Sequence, residues 1–138
     1  MSSLEATSSL PPGRTTLIRI AGALGASAVI LGALGAHGSV ADHLLARGNG
    51  ADETWRTAVL YHLVHSVVIL VWAMRPSSIR TSAPALLILV GILCFSGSLY
   101  LLAAFGFNWL GPITPLGGLF LIAGWLGIGL SKGTQNSD

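Results

Sequence analysis

The sequence predicts an all-α protein, four membrane-spanning helices arranged as an up-down-up-down bundle, on three observations. Apolar residues make up 52% of the 138 and charged residues only 9%, against roughly 25% charged in a typical soluble domain. The apolar residues collect in four runs close to the ~20 residues that cross a hydrocarbon core. The links between those runs are short, which makes successive helices antiparallel neighbours. A water-soluble chain of this length needs a polar exterior that these residues cannot supply, so the lipid bilayer is its surroundings. Seven Lys or Arg give a net charge of +2; they are scattered, with no cluster suited to nucleic acid. Cys94 is the single cysteine, so no internal disulfide can form, and inside an apolar run it reads as a small buried hydrophobe.

Residues 1–15 form a polar, Ser-rich lead through Pro11-Pro12-Gly13, a composition expected to be disordered. The membrane domain is expected over residues 16–131, with 132–138 as a polar tail. The first span runs from about Thr16 to Ala36. A cleaved leader would have a shorter apolar region and a better small-residue site than Ala36-His37-Gly38. Gly25, Ala28, Gly32 and Gly35 lie on one stripe of this helix, the pattern that lets helices approach closely in lipid, within the chain or across a homodimer seam.

Gly38 ends the span, and Ser39 is expected to cap a short helix through Leu44 and Leu45 that stops at Gly48-Asn49-Gly50. With Asp42, His43 and Arg47 on its other side, this helix should lie along the membrane surface. Asp52 is placed to cap the second span, and the Trp55 ring suits the lipid–water interface. That span ends near Met74, since the residue before Pro76 disfavours helix. Ser82 is expected to cap the third span, with Pro84 in its first turn, continuing to about Phe105. Asn108 to Pro112 makes a tight link. Thr114 as N-cap and Pro115 at the first helical position start the fourth span, which fades near Ser131.

Arg14, Arg19, Arg75, Arg80 and Lys132 fall at one membrane face under this topology. Arg47 and Arg56 share the other with Asp42, Asp52 and Glu53. The bias places both termini in the cytoplasm of a bacterial inner membrane.

Antiparallel topology then collects the polar residues. Tyr61, His62 and His65 enter from the outer face, roughly 9–15 Å below Trp55 at the helical rise. Ser96, Ser98 and Tyr100 approach the same face on the third span, Thr114 starts the fourth there and His37 ends the first. An outer-half cluster is therefore expected above a purely apolar inner half. Two readings follow: hydroxyls and neutral imidazoles that satisfy one another and fix helix register, or a pocket for a haem, a metal, a lipid-like ligand or a proton. His62 and His65 could give a metal two nitrogen ligands, with His37 a third, but a closed zinc site takes four. A haem would need an opposing His from His37 or a second subunit. Paired carboxylates, a phosphate loop, a nucleophile elbow and H-E-x-x-H are absent from the sequence. No metal or cofactor is assigned.

Five motifs occur in order: G-A-L-G-A-H-G (Gly32 to Gly38), T-A-V-x-Y-x-x-x-H (Thr57 to His65), F-S-G-S-L-Y (Phe95 to Tyr100), T-P-L-G-G (Thr114 to Gly118) and A-G-W (Ala123 to Trp125). Together they resemble the YgdD-type small membrane proteins, the domain-of-unknown-function family numbered 423. The resemblance spans all four helices and implies an integral membrane protein with no assigned activity. His37, Tyr61, His65, Ser96, Ser98, Tyr100, Thr114 and Pro115 occupy its motif positions. His62 departs from it, since members commonly carry glutamine there, a poor metal or haem ligand. That departure favours the network for His62 and leaves His65 the stronger candidate for a site. The expected role is a non-enzymatic structural or accessory membrane component, packing against another copy of itself or a larger membrane complex.

Overall fold

The computed structural model describes residues 12–75 and 82–131. Five α-helices account for nearly all of them: α1 (Pro12–Ala36), α2 (Gly38–Arg47), α3 (Ala51–Met74), α4 (Ala83–Phe105) and α5 (Ile113–Gly129). A 3-10 turn, Asn108–Leu110, precedes α5. Among the described residues, four stretches are long and apolar enough to cross a membrane: Gly13–Ala36, Ala51–Met74, Ala83–Phe105 and Asn108–Gly129. The protein is an all-α membrane bundle. The expected tails lie outside the described residues, apart from residues 12–15, which form the first turn of α1 rather than disordered lead.

The helix ends differ from the sequence expectation in a consistent way. Asp52 lies inside the first turn of α3, after Gly50 in the left-handed region as N-cap. Thr114 lies inside α5, whose N-cap is Pro112, and α2 takes His37 rather than Ser39 as its N-cap. Ser82 is the N-cap of α4, but without a side-chain bond to the helix. Such a capping bond is worth about 1 kcal/mol, too little to decide where a helix begins when tertiary contacts compete.

Packing runs in the order α1–α3–α4–α5, each helix antiparallel to the next, with no comparable seam between α1 and α5. The closest approach joins α4 to α5. A Cβ added at Gly117 would overlap the backbone of Phe95, one at Gly91 would strike Leu121, and one at Gly124 would strike Ile88. These glycines let two backbones meet without side chains between them, the contact that drives association where lipid is as apolar as the helices. On α1 the stripe faces α3: Gly35 makes room for the Trp55 indole and Gly32 lies under Val59, while nothing approaches Gly25. The stripe serves packing inside the chain.

Trp55 is thus not an interfacial anchor. It is 7% exposed, its Nε1 donates to the Leu31 carbonyl at 2.9 Å, and its ring meets Tyr100 edge-on at 4.8 Å. Leu44 of α2 packs into this layer with Ala51, Trp55 and Ala103. His43 Nε2 donates to the Ala104 carbonyl at 2.8 Å, one of the carbonyls that the end of α4 leaves without an intrahelical partner. So α2 does more than lie on the surface; it straps the C-terminal end of α4. A second core layer, Ala21, Ile69, Ile88, Ile92 and Leu121, holds the other half of the bundle.

Gly117→Ala should lower stability by about 1–3 kcal/mol, the range for overpacking. Gly22→Ala, where nothing lies within 4 Å, should raise it by about 0.5–1 kcal/mol through helix propensity. Denaturant titration of the two variants in one detergent checks the opposite signs.

Candidate functional site

The polar residues of the bundle interior separate into three sets. The first centres on His62, 6% exposed. Its Nδ1 lies 3.4 Å from the Tyr100 hydroxyl and its Nε2 3.5 Å from Ser27 Oγ. Ser27 Oγ donates to the Leu24 carbonyl at 2.9 Å, which leaves its oxygen to accept. Nε2–H therefore donates to Ser27, and Nδ1 accepts from Tyr100, in a neutral ring. The two contacts are long, near the outer limit for hydrogen bonds. Together they tie α4 to α3 to α1. Ser66 Oγ donates to the His62 carbonyl at 2.6 Å within α3.

The second set centres on His65, also 6% exposed. Trp125 Nε1 of α5 donates to His65 Nε2 at 3.2 Å. An indole N–H is a donor only, so Nε2 must present its lone pair and the ring proton sits on Nδ1. That proton is donated to the Tyr61 carbonyl at 2.7 Å. The tautomer follows from the partners, and neither ring nitrogen is left with a free lone pair. Tyr61 stacks on the imidazole with centroids 5.7 Å apart and leans on Phe95 at 4.5 Å. A shallow groove of about 240 Å³ lined by Leu60, Tyr61, Val64 and His65 opens outward from α3 alone.

The third set joins α4 to α5 at the end of the bundle that α2 covers. Ser98 Oγ donates to the Phe95 carbonyl at 2.9 Å, so the Thr114 hydroxyl donates to Ser98 Oγ at 2.7 Å. Two predicted residues stand apart. Ser96 is 1% exposed and its Oγ has no hydrogen-bond partner among the described residues. His37 is exposed at the head of α2, with no side-chain capping bond.

The structure therefore brings Tyr61 to His65, His62 to Tyr100 and Ser98 to Thr114, and it does not join them in one cluster. Among the described residues no three His, Cys, Asp or Glu side chains gather as a metal ion would require. The expected depth also shifts. His62 and His65 are the twelfth and fifteenth of the 24 residues of α3, at mid-helix and not in an outer half. Trp125 and Ser27 escaped sequence reasoning as partners. The legible signal for Ser27 was a lone hydroxyl in an apolar run; for Trp125 it was an indole too deep to be an interfacial anchor.

Four long apolar helices and buried, mutually bonded polar side chains define a multi-pass integral membrane protein. The family described as "Protein of unknown function (DUF423)" matches residues 31–118, more than half of the chain, and the chain belongs to that family. A UPF0382 membrane protein of Staphylococcus haemolyticus is 40% identical over 74 residues, covering 52% of this chain and 61% of the relative. The UPF0382 membrane protein YwdK of Bacillus subtilis is 38% identical over 78 residues, 54% of this chain and 63% of its own. A UPF0382 membrane protein of Schizosaccharomyces pombe is 34% identical over 78 residues, 53% of this chain and 66% of its own. The matched part of the chain thus spans less than two thirds of these relatives. No solved structure matches.

Two comparisons of variants probe these sets. Trp125→Phe and His65→Leu should show a coupling of about 0.6 kcal/mol, and at most about 1.7, in a double-mutant cycle of unfolding. His62→Gln keeps one acceptor and one donor and should stay within about 0.5 kcal/mol of the parent, whereas His62→Leu leaves Tyr100 unpaired and should cost about 1–3 kcal/mol. The same unfolding titration reads both.

Proposed function

We propose that the protein is a non-enzymatic accessory component of a bacterial plasma membrane, which works by packing against a second copy or a larger membrane complex. The observation that carries this reading is the state of His65. A ring whose Nδ1–H is held by a carbonyl and whose Nε2 lone pair is held by an indole has nothing left for a metal or a haem iron. The His62 chain supports the same reading. It runs from Tyr100 through His62 and Ser27 to the Leu24 carbonyl, and a backbone carbonyl inside a helix offers a proton no onward step. The histidines fasten helices together.

The flanking helices offer the surface for association. Val29 and Ile30 on α1 are 60% and 59% exposed, and Leu119 and Leu126 on α5 are 61% and 60% exposed. The end that gathers Arg14, Arg19 and Arg75 faces the cytoplasm by the bias of basic residues, while Asp42, Asp52 and Glu53 lie at the opposite end.

Purification of the full chain in mild detergent, with cross-linking in the membrane beforehand, should yield a homo-oligomer or a defined complex. The purified protein should show no Soret band and no stoichiometric metal. A monomer with no cross-linked partner would overturn the accessory role. A chromophore or metal lost in His65→Ala would establish a binder in its place. Reporter fusions in the α3–α4 link should be cytoplasmic, and those in the α2–α3 link external; the reverse would overturn the orientation.

A further inference from the structure

A groove of about 310 Å³ runs between α3 and α5, walled by Val67, Val71 and Trp72 of α3 and Trp125 and Ile128 of α5, with Arg75 at one end. From Val67 to Arg75 it follows α3 for about 12 Å at the helical rise, close to the depth of one leaflet's hydrocarbon, about half of the 30 Å core. Its deep end, at Val67, is the seventeenth of the 24 residues of α3, and its charged end, at Arg75, directly follows the helix. That is the outline of one phospholipid: an acyl chain along valines and indoles, a headgroup at a guanidinium.

Arg75 is held in place at that mouth. Its guanidinium lies 5.1 Å from the Trp72 ring centroid, a cation–π contact, and its Nη1 donates to Ser131 Oγ at 3.5 Å. The described carboxylates, Asp42, Asp52 and Glu53, are all at the opposite end of the bundle, so none of them neutralises it. A planar guanidinium presents five N–H donors in the fork that suits a phosphate, and Arg75 is half-buried, with one of its N–H groups given to Ser131. We propose that this groove is a binding site for one anionic phospholipid, its phosphate held by Arg75 and an acyl chain lying between α3 and α5.

The test uses the full-length protein in a neutral detergent, titrated with phosphatidylglycerol or phosphatidylcholine of the same chains and read by native mass spectrometry. The parent should bind one phosphatidylglycerol about fivefold more tightly than phosphatidylcholine, the preference one arginine supplies at a membrane surface. Arg75→Gln should abolish that preference and Arg75→Lys should keep most of it. Arg19→Gln, which removes a charge at the same end but outside the groove, should change nothing. Val71→Trp, at a position 58% exposed and so compatible with folding, should block the site for both lipids. Equal binding of the two lipids, equal loss in Arg75→Gln and Arg19→Gln, or full binding in Val71→Trp would each overturn the proposal. So would a dimer that Val71→Trp separates, because the groove would then hold a second copy.

Discussion

Lipid offers no hydrogen bonds, so a polar group carried into the bundle is costly unless it finds its partner in the protein, and among the buried candidates Ser96 is the exception. That constraint explains why the interior polar residues come as pairs and short chains that cross between helices. Tyr100, His62 and Ser27 link α4, α3 and α1; Trp125 and His65 link α5 to α3; Thr114 and Ser98 link α5 to α4. Each bond is weak by itself, since the unfolded chain in a membrane also finds partners. What they supply is register. A helix that slid or turned by one residue would lose its bond and strand a polar atom in hydrocarbon.

Close approach supplies the rest. The α4–α5 seam depends on Gly91, Gly117 and Gly124, and the α1–α3 seam on Gly32 and Gly35. The two devices are coupled at Trp55, whose indole fits only because Gly35 lacks a side chain, and whose N–H then reaches the Leu31 carbonyl. The ordered motifs of the sequence acquire a physical meaning here. G-A-L-G-A admits the tryptophan, and T-P-L-G-G lets α5 meet F-S-G-S-L-Y backbone to backbone.

The spans were legible because length and hydropathy alone decide them. The helix starts were less so, because weak caps give way to tertiary contacts at Asp52, Ser39 and Thr114. The candidate residues themselves were legible as polar groups in apolar runs, yet their pairing was not. Residues three apart on one helix, His62 and His65, read as a common face. A turn advances about 100° per residue, so a step of three leaves them some 60° apart. That angle is enough to send His62 toward α1 and α4 and His65 toward α5. Trp55 misled for a different reason: aromatic residues near a span's end suit the interface on average, and no single-helix pattern reveals that a neighbouring glycine has opened room for the ring.

The two ends of the bundle differ in how completely they are closed. At one end α2 lies across the others, Leu44 filling the layer around Trp55 and His43 bonding the last turn of α4. No described helix lies across the other end in this way, and α3 and α5 part there to leave the groove below Trp125. The cause lies in the packing order. Because α4 holds both α3 and α5 while α1 lies beyond α3, α3 and α5 touch mainly through side chains, the indole of Trp125 foremost. Where that indole reaches His65, and again where Arg75 reaches Ser131, the gap is bridged; between those two points Val67, Val71 and Trp72 line one side and Ile128 the other. In water such a gap would collapse or draw in solvent. In a membrane the material available to fill it is a lipid chain, and Arg75 stands where that chain's headgroup would be.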